Sequence, residues 1–454
     1  MSTTSPTTLS SFRALLYSRV LRRRRDALFE MLDAVLTGPA VTSAVRISLE
    51  PVFRRGWSSV CDALSEGTLD AVAFQRLVAP LVAGLTPVGT REIWVIDGSS
   101  WSRPDAVTSP ERTCCRVPVA GSAGQSIIDG WEWQWLVVIP EAAGSWVLPL
   151  SVARRSLAAG TPTELAIAQV RAVQAARAAT GTHHARPLLL LDSSYDIVQM
   201  IQADLGVDLL CRSATNRVFY RRPHWSGVGR RPLHGPKVRL ADPDSLGAPD
   251  HHQCIPDPEH GSVCVDVWEH LHRLEAAPWN VTLIRIHLGH YAPRAHRHGA
   301  PKALWLVWHG SELPPDLADF WRLYGRRFAI EHAFRFLKQE LGWTQIRPRA
   351  PQTAECWSWL LAMALWQLWM ARADVTTSRL PWERLPRADQ ARSPGQVRRA
   401  MAAFLLHLGT PARDPRRRGM SPGRQIGECP GRAPRFPAQK RGPPTRRKHQ
   451  NHPR

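Results

Sequence analysis

The 454-residue sequence predicts an α/β protein built on a mixed sheet, and three observations point there. Short apolar runs at residues 93–96, 133–139 and 146–152 follow one another as strands, the last two divided by Gly144-Ser145. From residue 161 onward, helical and strand patterns alternate, the mark of a sheet with parallel pairs. Before residue 90 the apolar positions recur at helical spacing instead, as in Phe12, Leu15, Leu16 and Val20. With 44% hydrophobic residues, the chain can bury a large core.

Residues 1–88 make a helical domain with a basic face, punctuated by Gly38-Pro39 and Glu50-Pro51. Within it the run Arg22 to Arg25 is either a phosphate contact or plain basic surface. The strand at 93–96 ends at Asp97-Gly98. Thr161-Pro162-Thr163-Glu164 carries Pro and Glu in the first turn of a helix that runs to Gly181. The bare run of leucines at 188–191 suits a strand covered on both faces, and it ends at Asp192. A helix at 195–205 and a strand at 208–212 complete a first core segment, 89–215. Residues 216–300, rich in Arg, Pro, Gly and His, form an inserted segment, mostly β or irregular.

Inside that segment His251, His252, Cys254, His260 and Cys264 are zinc-ligand types. Their spacing matches no standard finger, and the Pro- and Asp-rich context favours a loop. A second core segment, 301–375, holds a strand at 304–308, a helix at 316–341 and a Trp-rich buried helix at 353–372. Residues 376–410 contain a short helix around 394–408, and 411–454 form a basic tail with nine prolines, expected to be disordered when free.

The formal charge of +21 calls for a polyanionic partner, nucleic acid or an anionic membrane surface. Residues 411–454 alone hold 13 Lys+Arg, among them Arg416 to Arg418 and Arg446 to Lys448, against Asp414 and Glu428 (13 − 2 = +11). The polar N-terminus lacks the order of a signal peptide, and the apolar run 356–370, interrupted by Ser358 and Gln367, is too short to span a bilayer. Eight scattered cysteines form no disulfide framework and fit a reducing cytoplasm.

Asp97 and Asp192 each follow an apolar strand, which puts a carboxylate at the accessible end of a sheet. Taken alone, such an aspartate is more often a turn or cap residue. On the later helix, Tyr324, Arg327, Glu331 and Lys338 stand at offsets 0, 3, 7 and 14 and share a stripe about 60° wide. That face is either a metal ligand flanked by phosphate-binding cations or a solvated face with an i,i+4 ion pair between Arg327 and Glu331. Phe328, Phe334, Leu337 and Leu341 supply the apolar side. Asp196, Asp208 and Glu340 are competing carboxylates.

The pattern Tyr324-Arg327-Glu331-Lys338, with "WVIDGSSWSRP" at Asp97, "LLLLDSSYD" at Asp192 and "YGRRFAIEHAFRFLKQELGW" at Glu331, resembles the YREK signature of bacterial insertion-sequence transposases of the insertion-sequence-four type. The resemblance covers roughly residues 90–372. It implies an RNase H-like core with a β-rich insertion and a DDE site in which Asp97, Asp192 and Glu331 bind two Mg²⁺ or Mn²⁺ ions. Tyr324, Arg327 and Lys338 would position terminal phosphates and an unstacked base, with Trp225 or Trp343 as a stacking partner. The implied activity is cleavage at the transposon's inverted repeats to free a 3′-OH, which then joins target DNA or first attacks the opposite strand. A homodimer on paired double-stranded DNA ends, in the cytoplasm with the nucleoid, completes the expectation. Two alternatives remain at this point: an RNase H-fold nuclease without strand transfer, and a catalytically inactive, domesticated DNA-binding protein.

Overall fold

The computed structural model describes residues 8–85, 90–118, 124–142, 144–182, 185–258, 260–289, 303–377, 380–383, 392–416, 423, 425–429 and 431–440. The polar start of the chain, and Arg417, Arg418 and Arg446 to Lys448 of the basic tail, lie outside them.

Helices come first: α1 (Leu9–Leu15), which opens into a wider π-helical turn over Leu16–Val20, then α2 (Arg25–Thr37), α3 (Ala44–Ser48), α4 (Ser58–Glu66) and α5 (Ala71–Leu85). Strands β1 (Ile93–Ser102), β2 (Thr113–Pro118), β3 (Gln125–Val138) and β4 (Leu148–Arg154) follow. Next are α6 (Pro162–Ala178), β5 (Leu188–Leu191), α7 (Ile197–Gln202) and β6 (Asp208–Arg212). The inserted segment holds β7 (Val218–Tyr220), β8 (Lys237–Arg239), β9 (His251–Asp257), β10 (Gly261–Leu271) and β11 (Val281–Leu288). The chain then runs through β12 (Leu304–His309), α8 (Asp319–Gly325), α9 (Ala329–Gln339), α10 (Pro351–Ala371) and α11 (Pro394–Leu408).

Among the described residues, ten strands form one sheet in the order β2-β3-β1-β5-β6-β12-β11-β10-β9, with β4 also on β3. Its middle, β4-β3-β1-β5-β6, is antiparallel from β4 to β1 and parallel from β1 to β6. This is an RNase H-like core. The local signals behind it are physical. Thr161 and Glu164 close a reciprocal capping box at the start of α6, and the four leucines of β5 are fully buried.

Several expectations need correction. Residues 113–118 form a strand that their polar, Pro-ended sequence did not announce. The strand expected to stop at Asp97 continues to Ser102; Asp97 lies inside β1, opposite Trp135 of β3. The inserted strands β9, β10 and β11 are no separate irregular body: they extend the main sheet through β12. Residues 251–264 are an antiparallel hairpin rather than a loop, and Cys254 and Cys264, directly opposite each other, are joined in a disulfide.

The helix expected over 316–341 is broken. Between α8 and α9, residues Arg326–Phe328 wind as a tight 3₁₀ turn just after Gly325, the weakest helix former in the run. Phe328 faces outward, 48% exposed, so it does not dock on the core beside Phe334, Leu337 and Leu341 as expected; at 3.6 residues per turn it stands on the far side of the helix from them. Phe334, Leu337 and Leu341 are buried as expected.

Helix α10 is buried along nearly its whole length, and no helix of the described residues is long and apolar enough to cross a membrane. Buried Arg13 of α1 ties it to α2 and to the end of α11. Its guanidinium donates to Asp33 at 2.7 Å, to Gln367 at 2.7 Å and to the Gly409 carbonyl at 3.0 Å. Of the tail's described residues, the Phe436 amide donates to Val107 O at 2.8 Å, laying that stretch near β2.

Helix α9 ends in a glycine turn. The Trp343 amide reaches back to the Leu337 carbonyl at 2.8 Å across Gly342, whose φ is +69°. A Cβ on Gly342 would stand 2.3 Å from the Val41 carbonyl oxygen. Gly342→Ala is therefore expected to cost about 1–3 kcal/mol, read as a lowered midpoint in thermal or urea unfolding; an unchanged midpoint would show that the turn is not strained.

Candidate active site

The parallel pairing of β1 with β5 covers Ile93 to Val95 against Leu188 to Leu190. Strand β5 ends at Leu191 while β1 runs on, so the next residues on both strands, Asp97 and Asp192, meet at an opening in the sheet. Asp97 is largely buried, its side chain 20% exposed. Its Oδ1 accepts the Gly98 amide at 2.7 Å. One Asp192 oxygen accepts both the amide and the hydroxyl of Ser194, at 2.9 and 2.6 Å, so it closes a turn while remaining only partly buried.

The 3₁₀ turn between α8 and α9 aims Arg327 at this opening. Its Nη1 donates to Asp97 Oδ2 at 2.9 Å and its Nη2 to Glu331 Oε1 at 2.9 Å. One buried guanidinium thus bridges the sheet carboxylate and the helix carboxylate. Glu331 itself stays half-exposed. Burial raises the Asp97 carboxyl above the usual carboxylate range; Arg327 pulls the other way, and the charge of Asp192 adds to the rise.

The remaining helix residues are not one solvent-facing stripe. Tyr324 is 3% exposed, and its buried hydroxyl meets no partner among the described residues. Lys338 lies over the Trp343 ring at 5.8 Å, and burial lowers its ammonium pKa. Trp343 is fully buried; it packs on Trp135 and Phe334 and donates to Ser358 Oγ at 2.8 Å. It cannot reach a base, which corrects its expected stacking role. Trp225 is exposed on the segment between β7 and β8.

The competing carboxylates are engaged elsewhere. Asp196 caps α7, accepting the amides of Val198 and Gln199. Asp208 begins β6, at the opposite end of the sheet from Asp192, and is held by Arg91 and Arg186 at 2.8 Å each. Glu340 pairs with Arg398.

Sequence reading missed Arg155. Its guanidinium donates to Glu132, Gln134 and the Tyr195 hydroxyl, each at 2.8 Å. It lies across Gly98, where a Cβ would meet the guanidinium carbon at 2.6 Å. Only a glycine beside Asp97 leaves room for this buried cation, and the Asp97-Gly98 pair in the sequence was the available signal.

Next to Asp192 opens a cavity of about 930 Å³, lined by Arg212, Arg217 and Arg273 together with Tyr195, Cys211 and Phe219. By contrast, the run at residues 22–25 is largely paired: Arg22 with Asp70, and Arg23 and Arg24 with Glu66.

A hard divalent cation takes oxygen donors, and Asp97, Asp192 and Glu331 offer carboxylate oxygens alone. Burial deprives the Asp97 carboxylate of hydration, a cost that a bound cation would relieve. The chemistry of the donor set fits. Among the described residues, however, no three His, Cys, Asp or Glu groups are drawn together as an ion's ligands; between Asp97 and Glu331 stands Arg327.

A family model described as DDE superfamily endonuclease matches residues 16–259. Another, described as Transposase DDE domain, matches residues 159–367. No curated protein matches the chain. With more than half of its length under the first model, and with an RNase H-like sheet that brings two strand aspartates to one opening, the chain belongs to the DDE superfamily endonucleases.

Proposed function

We propose that the chain is a DNA transposase of the insertion-sequence-four type, with Asp97, Asp192 and Glu331 as its DDE triad. The observation that carries this reading is the bridge from Asp97 through Arg327 to Glu331, beside Asp192. It joins Asp97 of the sheet to Glu331 of the YREK pattern, and the charge of Asp192 is felt at Asp97. Two Mg²⁺ or Mn²⁺ ions on these carboxylates would supply Lewis-acid stabilisation of the scissile phosphate.

The chain's own residues bind and orient. Arg327 is the cation nearest the triad, and on DNA binding it exchanges a carboxylate oxygen for a phosphate oxygen, a bidentate match. The Tyr324 hydroxyl, buried without a partner among the described residues, gains one from the DNA end once the opening rearranges to expose it. Lys338 offers a point charge to a neighbouring phosphate. Arg212, Arg217 and Arg273 grip the backbone along the cavity beside Asp192. Inverted-repeat binding, strand transfer, a dimer on paired ends and association with the nucleoid belong to the same proposal.

The test supplies purified protein with a DNA end from its flanking inverted repeats and Mg²⁺. Asp97→Ala, Asp192→Ala and Glu331→Ala are each expected to lower nicking beyond the roughly 10–100-fold that loss of an outer-shell partner costs. Normal nicking by Glu331→Ala would remove that residue from the triad. Joined products separate transposase from nuclease. Chelation with EDTA should stop nicking while gel-shift binding persists.

Gly98→Ala forces Arg155 away from Asp97 and is expected to slow nicking about 100-fold with DNA binding intact. Full activity in that variant would show that Arg155 does not position Asp97.

A further inference from the structure

The outer face of the β9-β10-β11 edge carries a cluster that nucleic-acid cleavage does not use. Cys254 on β9 lies directly opposite Cys264 on β10, which lies opposite His287 on β11. One step along the same face, His252 lies opposite Asp266, which lies opposite Arg285. The alternate residues of β10, Val263, Val265 and Val267, point into the core. Two cysteines and two histidines therefore share one exposed corner, although they span 35 residues of sequence and follow no finger spacing.

We propose that Cys254, Cys264, His252 and His287 form a structural Zn²⁺ site when the Cys254–Cys264 disulfide is reduced. The Cys254 sulfur is 3.6 Å from His252 Nε2. A tetrahedral zinc with its usual Zn–S and Zn–N bonds has an S···N edge of about 3.5 Å, so this pair already stands at ligand separation. The outer partner is in place as well. Asp266 Oδ1 accepts from His252 Nδ1 at 2.7 Å, fixing the tautomer that leaves Nε2 free to ligate. Asp266 Oδ2 stands 3.3 Å from His287 Nε2, which leaves Nδ1 of that ring for the metal.

Charge agrees. Two thiolates and one dication are electroneutral, so Arg285, already paired with Asp266 at 2.9 Å, is not repelled. In the disulfide form the sulfurs are bonded to each other, no three such groups among the described residues converge as an ion's ligands, and the site is closed. A dithiol reductant opens it: the S–S bond accepts two electrons and two protons to become two thiols, and the reductant becomes a disulfide. Zinc binding then releases the two thiol protons to solvent.

Either state staples the edge hairpin, and the hairpin touches the catalytic segment. The Gln253 side chain accepts the Leu317 amide at 2.8 Å just before α8, and His260 packs edge-on against Trp321 of α8.

The experiment uses the full-length protein, reduced or oxidised, dialysed against zinc and then freed of loose metal. The reduced protein is expected to retain one zinc equivalent that the oxidised protein lacks. Cobalt in its place should show a thiolate-to-cobalt charge-transfer band with tetrahedral d–d bands. Cys254→Ser and Cys264→Ser should abolish both signals, whereas Cys61→Ser with Cys429→Ser should leave them unchanged. Asp266→Asn should weaken zinc binding about 10–100-fold, and His252→Ala or His287→Ala should weaken it further. The proposal is overturned by a reduced protein that keeps its native circular dichroism and takes up no zinc. Equal uptake by the oxidised protein, or unchanged affinity in both histidine variants, overturns it too.

Discussion

Arg327 holds the site together by standing where two carboxylates would otherwise face each other unscreened. A guanidinium that is 7% exposed has given up most of its hydration, and such a charge is tolerated only when it is well paired. Asp97 from the sheet and Glu331 from α9 provide that pairing, so the arginine fixes the distance between strand and helix. Both neighbours depend on features well away from the chemistry. The 3₁₀ turn after Gly325 rotates Arg327 inward, and the glycine turn at Gly342 locks Trp343 beneath α9. Burial beside Asp192 keeps Asp97 costly to ionise, which makes the opening receptive to positive charge, from the chain or from outside it.

Unequal strand lengths create that opening. Strand β5 has four residues and β1 has ten, so β1 loses its parallel neighbour just where Asp97 sits. On its other side β1 remains paired with β3 through Ser102, which keeps Asp97 in a rigid ladder rather than a loop. Asp192, by contrast, begins a turn that Ser194 closes. One ligand candidate is thus held by backbone pairing and the other by a local side-chain bond.

What could be read in the sequence was what short-range physics decides. The leucines at 188–191, the Thr161–Glu164 capping box and the helix from Pro394 to Leu408 all carry their signals within a few residues, and each element stands where those signals put it. The two aspartates and the glutamate stood out by similarly local signals, although Asp97 lies inside β1 rather than at its end. Phe328 was grouped with Phe334, Leu337 and Leu341 by apolar character alone, whereas helical spacing sets it on the other face. Trp343 was misjudged because its burial depends on Trp135 and Phe334, which local sequence does not place beside it. His287 went unnoticed beside Cys254 and Cys264 because strand pairing across 23 residues, not spacing, brings it to Cys264.

Charge shows the same division between composition and place. A net charge of +21 specifies the sign of a partner and nothing about where it docks. The densest basic run of the helical region, residues 22–25, turns inward electrostatically: Asp70 and Glu66 take up three of its arginines, and the Arg25 guanidinium sits over the Tyr17 ring. Arg212, Arg217 and Arg273 are isolated in sequence, yet the packing of α7 against β6 and the inserted strands brings them round one cavity beside Asp192. Exposed pairs in the run at 22–25 already screen each other. The inserted segment therefore matters electrostatically as well as structurally: it supplies two of the three arginines round this cavity.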